Sequence, residues 1–204
     1  YDFKQIVEHM SYGTEGIYGI PTYVSCTFVF LFILFGSFLE RAGMIKLFND
    51  VALGLLGHTR GGPAQVCVAS SALMGTISGS GIANVVTSGQ FTIPLMKKYG
   101  YSPAFAGGVE ATSSMGGQIM PPVMGAVAFI MAETLGVKYV EIVKAAIIPA
   151  ILYYVSCWWM VYLEAGKKKL LGIPKNELPS ALNAFKKSWY LTIPLIVLVY
   201  LLFS

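Results

Sequence analysis

The sequence predicts an all-α, polytopic membrane protein that contains a re-entrant helical hairpin and a discontinuous transmembrane helix. Three observations carry this expectation. Of the 204 residues, 55% are hydrophobic and only 12% are charged, whereas a soluble domain carries about 25% charged residues. The apolar residues fall in long blocks rather than in a scattered core, which disfavours a soluble subunit buried in a larger complex. Two of the blocks are interrupted by Gly, Ser and Pro clusters, residues that end helices and free backbone polar groups.

Taken in order, residues 1–20 place Phe3, Ile6, Val7 and Met10 on one side and Lys4, Glu8 and His9 elsewhere. That is helical spacing in a stretch too short and polar to span, so it is expected along the membrane surface, in contact with lipid. Residues 21–63 begin with an almost wholly apolar run, Pro21 to Leu39, closed by Glu40 and Arg41. A run of about 20 apolar residues crosses a bilayer core. An amphipathic cytoplasmic helix follows over 42–58, with Met44, Leu47, Phe48, Val51 and Leu55 set against Lys46, Asn49 and Asp50. His58 to Pro63 forms a turn with a helix start after it.

Residues 64–100 form the predicted hairpin. One arm, Ala64 to Met74, runs into a Gly/Ser cluster at 75–81, and a second arm, Ile82 to Met96, runs out to Lys97 and Lys98. Each arm is short for a full span. Residues 101–136 form one broken crossing, Ser102 to Met115 and Val123 to Glu133, interrupted by Gly116-Gly117-Gln118-Ile119-Met120-Pro121-Pro122. At membrane depth such a break requires protein or a water-filled cavity to satisfy the freed backbone. Residues 137–165 span again, with Pro149 inside and Trp158 and Trp159 near the exit, where aromatics fit the interfacial belt. Residues 166–188 read as a polar cytoplasmic linker, and 189–204 as the start of a truncated transmembrane helix. The chain opens on Tyr1 with neither a start methionine nor a signal peptide and stops at Ser204 inside an apolar run. It is therefore expected to be part of a longer polypeptide.

Charge sets the orientation. If 64–96 returns to its starting side, Arg41, Lys46, Arg60, Lys97, Lys98, Lys167, Lys168, Lys169, Lys175, Lys186 and Lys187 share one face of the membrane. Only Lys4, Lys138 and Lys144 lie on the other. The positive-inside rule puts the first face in the cytoplasm. The net charge of +4 is thus a matter of topology, and nothing resembles a nucleic-acid module. Cys26, Cys67 and Cys157 lie inside apolar blocks, with neither metal-ligand spacing nor an obvious disulfide partner.

The residues do not make an enzyme. Both histidines fall in surface segments far in sequence from the serine cluster, so a serine nucleophile has no base. There is no metalloprotease His-Glu motif and no phosphate loop. They suit ion and solute transport better. The tip Ser78-Gly79-Ser80-Gly81 offers carbonyls and hydroxyls where a helix is interrupted, and Asn84 and Thr87 follow on the next turns. Hard cations such as Na⁺ take oxygen ligands, and broken helices supply them. The second break adds the carbonyls of Gly116 to Pro122 and the Gln118 amide. Half-helix N-termini would attract an anionic substrate. Glu110 is an intramembrane carboxylate, a functional candidate by default and otherwise a structural partner of a nearby donor.

At these residues the chain resembles a family. Ser78 to Gly89, then Ile93-Pro94-Leu95-Met96-Lys97-Lys98-Tyr99-Gly100-Tyr101, is similar to the large membrane subunit of tripartite ATP-independent periplasmic (TRAP) transporters. Gly107-Gly108-Val109-Glu110-Ala111 and the stretch Gly116 to Ala126 resemble the fused type, in which the small and large membrane subunits are one polypeptide. The resemblance runs from about residue 1 to 165 and is most specific over 75–134. It implies half of an elevator-type transporter in a bacterial inner membrane, importing organic acids, commonly dicarboxylates, on a Na⁺ gradient. A periplasmic binding protein, of the TAXI type for many fused members, would deliver the substrate. It implies a Na⁺ site at Ser78, Gly79, Ser80 and Asn84 from the hairpin, with Gly116, Gly117 and Pro121 from the break. Thr87, Glu110 and Gln118 remain as substrate-side candidates. Many unfused members carry a serine where Gly81 stands and a threonine where Asn84 stands; here an amide oxygen replaces the hydroxyl at 84. The alternatives are a stand-alone divalent-anion/Na⁺ symporter of related fold, a membrane enzyme with Glu110 at its centre, and a purely structural membrane subunit.

Overall fold

The computed structural model describes residues 2–203; Tyr1 and Ser204, the two ends of the sequence, lie outside the described residues. The described residues form helices joined by short turns, in agreement with the predicted class. Helix α1 (Phe3–Ser11) is capped by Asp2 and Gln5 in a reciprocal capping box and buries none of its side chains. Helix α2 (Ile20–Arg41) is continuous, with Pro21 in its first turn and a wider π-helical turn over Ser25–Val29. Helix α3 (Met44–Leu56) follows Gly43, whose φ of 104° reverses the chain.

Helices α4 (Gly62–Ser78) and α5 (Gly81–Lys98) form a hairpin. Gly79, at φ 57°, makes the reversal, a left-handed conformation that glycine adopts without a Cβ penalty. The Ser80 hydroxyl then caps α5 by accepting from the Ala83 N–H. At about 1.5 Å per residue the arms are about 25–27 Å long, shorter than the ~30 Å hydrocarbon core. Helix α6 (Pro103–Met115) starts on a Ser102 cap. It passes through a 3₁₀ turn (Gly116–Gln118) and an irregular stretch, and the chain becomes helical again in α7 (Ala126–Leu135). The predicted break is therefore present. Helix α8 (Tyr139–Lys167) continues through Pro149.

Among the described residues, three helical stretches are long and apolar enough to cross a membrane: Ile20–Arg41, Tyr139–Lys167 and Ala181–Leu202. Neither hairpin arm is one of them. The spans leave much apolar surface uncovered, including Phe30, Leu31, Ile148, Leu152 and Leu201, as helices facing lipid do. The chain is a polytopic membrane protein.

Two details differ from the sequence reading. Asn49, expected on the polar face of α3, is buried. Helix α3 packs against α4 and against a further helix, α9 (Ala181–Ser188). The linker is also not simply polar and free. The Ile173 N–H donates to the Gly57 carbonyl (2.8 Å), and its side chain packs with Ala52, Leu53 and Val66. The linker folds back because it carries this apolar residue among its lysines. After α9 a 3₁₀ turn at Trp189–Leu191 leads into α10 (Thr192–Phe203).

Candidate functional site

The hairpin tip and the break in the α6–α7 crossing meet. A Cβ built on Gly79 would strike the Met124 carbonyl oxygen, and one on Gly125 would lie 3.3 Å from the Gly79 oxygen. At Gly81 the neighbours are Met115 and, at 3.3 Å, the Gln118 amide nitrogen. One turn back, a Cβ on Gly75 would lie 2.5 Å from the Gly117 Cα. Glycine on both sides is what permits backbones to approach this closely.

Beside this contact lies a cavity of about 720 Å³, whose lining includes Ser78, Gly79, Ser80, Gln118, Gly125 and Ala126. Val29, Phe32 and Ile33, from the middle of α2, and Ala146 and Pro149 of α8 complete the wall. Helix α4 ends at this cavity and α5 starts there. Helix α6 and its 3₁₀ extension end there, and α7 starts there. Two helix C-termini and two N-termini, with their opposite partial charges, thus converge on one volume.

The seven residues expected at the cation site are not equally placed. Ser78, Gly79 and Ser80 line the cavity. The Ser78 hydroxyl lies 3.3 Å from both the N–H and the carbonyl of Ser80, closing the tip on itself. Gly117 lies at the hairpin, against Gly75 and the Asn84 amide. Asn84 is buried and its Nδ2 donates to the Ser71 carbonyl across the hairpin (2.9 Å), so it joins the two arms just behind the tip. The Ser71 hydroxyl is buried there without a partner. Gly116 faces the other way: a Cβ on it would lie 2.6–2.8 Å from the rings of Tyr153 and Tyr154. Pro121 is half-buried inside the break and away from the cavity lining.

Of the substrate-side candidates, Gln118 lines the cavity and is exposed to it. Thr87 returns its hydroxyl to the Ala83 carbonyl of its own helix (2.9 Å). Glu110 is fully buried, and its carboxylate accepts from Cys67 Sγ (3.0 Å), Ser114 Oγ (3.0 Å), Ser88 Oγ and Thr92 Oγ1. It is enclosed between α4, α5 and α6, removed from the cavity.

Sequence reasoning missed the residues that satisfy the break. The Tyr139 hydroxyl donates to the Val123 carbonyl (2.6 Å), with Pro122 O at 3.1 Å. Tyr153 and Tyr154 donate to the carbonyls of Thr112 (2.6 Å) and Ser113 (3.2 Å) in the last turn of α6. Three tyrosines of α8 thus supply the partners that an interrupted helix requires in an apolar setting. The Glu110 partners on α5 and α6, Ser88, Thr92 and Ser114, carry a spacing signal, whereas Cys67 of α4 carries none. Asn84, Ser88 and Thr92 recur every four residues, and Glu110 and Ser114 are four apart, each set on one helix face.

Comparison with known proteins shows the family. The sequence profile of the family described as "Tripartite ATP-independent periplasmic transporter, DctM component" matches residues 1–204. The chain is 30% identical over 168 residues to the C4-dicarboxylate TRAP transporter large permease protein DctM of Pseudomonas aeruginosa, covering 82% of this chain and 39% of that protein. It is 31% identical over 168 residues to the DctM of Vibrio cholerae, covering 82% and 37%. It is 29% identical over 170 residues to the sialic acid TRAP transporter permease protein SiaT of Haemophilus influenzae, covering 82% and 27%. The chain spans well under half the length of these curated relatives. The family is a transporter permease of the bacterial inner membrane and not an enzyme. With tip, break and spanning helices in one chain, and the match running its whole length, this protein belongs to the DctM component family of TRAP transporters.

Proposed function

We propose that this chain is the hairpin-bearing half of a secondary transporter that imports organic acids on a Na⁺ gradient, with the substrate delivered by a periplasmic binding protein. The observation that carries the proposal is the seating of the hairpin tip in the helix break. Gly79 lies on Met124 and Gly125, and Gly81 on Met115 and Gln118, beside a cavity at the level of the middle of α2.

The chemistry follows from the helix ends. The last carbonyls of α4 lack intrahelical partners and carry partial negative charge, which favours a cation. Ser78, Gly79, Ser80 and Gly117 are the residues whose placement supports a Na⁺ site, with Asn84 holding the arms behind it. Gly116 and Pro121 enter as residues that shape the break. The N-termini of α5 and α7, together with the Gln118 amide, favour a carboxylate. A hairpin with arms too short to span, turning beside the centre of α2, supports a re-entrant element. Its tip-to-break contact would then move as one body in an elevator cycle against the spanning helices.

The named relatives handle C4-dicarboxylates and sialic acid, both organic acids, which supports a carboxylate substrate here. The fused-type residues Gly107 to Ala111 and Gly116 to Ala126 support a TAXI-type binding protein.

The test is uptake of radiolabelled organic acids by the full-length permease in proteoliposomes, with and without its binding protein and an inward Na⁺ gradient. The proposal expects uptake to need both. Uptake that needs sodium but no binding protein would instead identify a stand-alone symporter.

A further inference from the structure

The cavity beside the tip has two chemically distinct ends. Among the described residues that line it, only Ser78, Ser80 and Gln118 carry polar side chains, and none is charged. All three gather where the tip meets the break. A Cβ on Gly81 would lie 3.3 Å from the Gln118 amide nitrogen, and one on Gly125 would lie 3.3 Å from the Gly79 oxygen and 3.4 Å from the Gln118 Cβ. Helix α7 starts at this end with no side-chain cap, which leaves its first N–H groups to a ligand.

Away from that end the wall is apolar: Phe32 and Ile33 of α2, Met131 of α7, and Ile142, Ala145 and Ala146 of α8. From Ala126 at the polar end to Met131 is ~8 Å along α7. Glu141 and Lys144, the charged residues of α8 beside this wall in sequence, pair with each other at 3.0 Å and do not line the cavity. A volume of about 720 Å³ is that of a small-molecule site, which is mostly apolar with a few placed polar groups.

The two ends treat a substrate differently. A carboxylate at the polar end meets N–H groups and the Gln118 amide. A second carboxylate, carried on the same short chain toward the wall, would lose water and meet no cation or donor on the lining side chains there, and an ionised group buried in that way is strongly disfavoured. A methylene in the same place gains instead, about fourfold in affinity for each one buried.

We propose that this cavity takes a monocarboxylate with an apolar chain, its head at the tip-to-break contact and its chain against Phe32, Ile33, Met131 and Ile142. The proposal rests on the organic-acid reading given above and narrows it: the C4-dicarboxylates named for two of the relatives fit this wall less well. Ala145 limits the length of the chain, because its small side chain leaves open the space that a longer one would fill.

The test is equilibrium binding to the purified full-length permease, with and without sodium and in the absence of binding protein, so that the permease's own selectivity is read. The probes are acetate, butanoate, hexanoate and succinate. Affinity is expected to rise about fourfold per methylene from acetate to hexanoate. Butanoate, which lacks the second carboxylate of succinate, is expected to bind more than about tenfold tighter than succinate. Ala145→Leu is expected to lower hexanoate affinity more than acetate affinity. Succinate binding as tightly as butanoate, or a flat series, would overturn the proposal. A rise with chain length that Ala145→Leu leaves untouched would put the chain in detergent or in another groove, and would overturn it too. Should Ala145→Leu not fold, the wild-type comparison of butanoate with succinate decides alone. Absence of sodium-dependent binding by any of these acids would sink the organic-acid reading itself, a distinguishable result.

Discussion

Gly75 and Gly117 meet backbone to backbone: a Cβ on Gly75 would lie 2.5 Å from the Gly117 Cα, and a Cβ on Gly117 3.0 Å from the Gly75 Cα. Neither neighbour is the end of a flexible side chain, so nothing can swing aside. Gly75→Ala and Gly117→Val should each push the first hairpin arm off the break. The expected cost is about 1–3 kcal/mol of stability from overpacking, together with loss of uptake. Gly108→Ala is the control, since nothing lies within 4 Å of its Cβ position; it should shift stability by no more than about 1 kcal/mol. Thermal unfolding of the purified full-length permease reads all three. A Gly117→Val protein with normal stability and normal uptake would remove the break from the site.

The tyrosines of α8 provide a second test. Tyr139→Phe keeps the ring, which stacks on Phe129 with centroids 4.2 Å apart, and removes the donor to the Val123 carbonyl. A buried carbonyl left without its partner costs about 1–3 kcal/mol. Tyr154→Phe should behave likewise at the Ser113 carbonyl. Both effects would register as a lowered unfolding temperature. If both variants unfold at the wild-type temperature, water or another group serves those carbonyls.

A third prediction concerns the linker. Ile173 is 5% exposed and packs with Ala52, Leu53 and Val66 at the base of the hairpin. Truncation to Ala should cost about 2–5 kcal/mol. By contrast, Lys98 and Glu177 form an exposed ion pair, and Lys98→Ala should change stability by about 1 kcal/mol or less. Equal effects from the two substitutions would mean that the linker does not pack where Ile173 places it.

Much of this was legible in the sequence, and what was not has a common cause. The hairpin tip and the break announce themselves because helix-ending residues cluster locally: Gly79, Gly81, Gly116, Gly117, Pro121 and Pro122. The direction in which a residue faces is not local. Gly116 and Gly117 are adjacent and chemically identical, yet one meets Tyr153 and Tyr154 and the other meets Gly75. Glu110 stood out as an intramembrane acid, but its ligand from α4, Cys67, lies 43 residues away. Asn49 read as a polar-face residue because nothing near it in sequence records which helices pack against α3.

The most direct measurement of the central claim, that tip and break make one sodium site, is the sodium dependence of uptake in Ser80→Ala and Asn84→Ala full-length permeases beside wild type. Ser102→Ala serves as the control, since it removes a comparable helix cap at Phe105, worth about 1 kcal/mol, away from the cavity. The account predicts that both tip variants need more sodium for half-maximal uptake while Ser102→Ala keeps the wild-type value. Wild-type sodium affinity in both tip variants would contradict it.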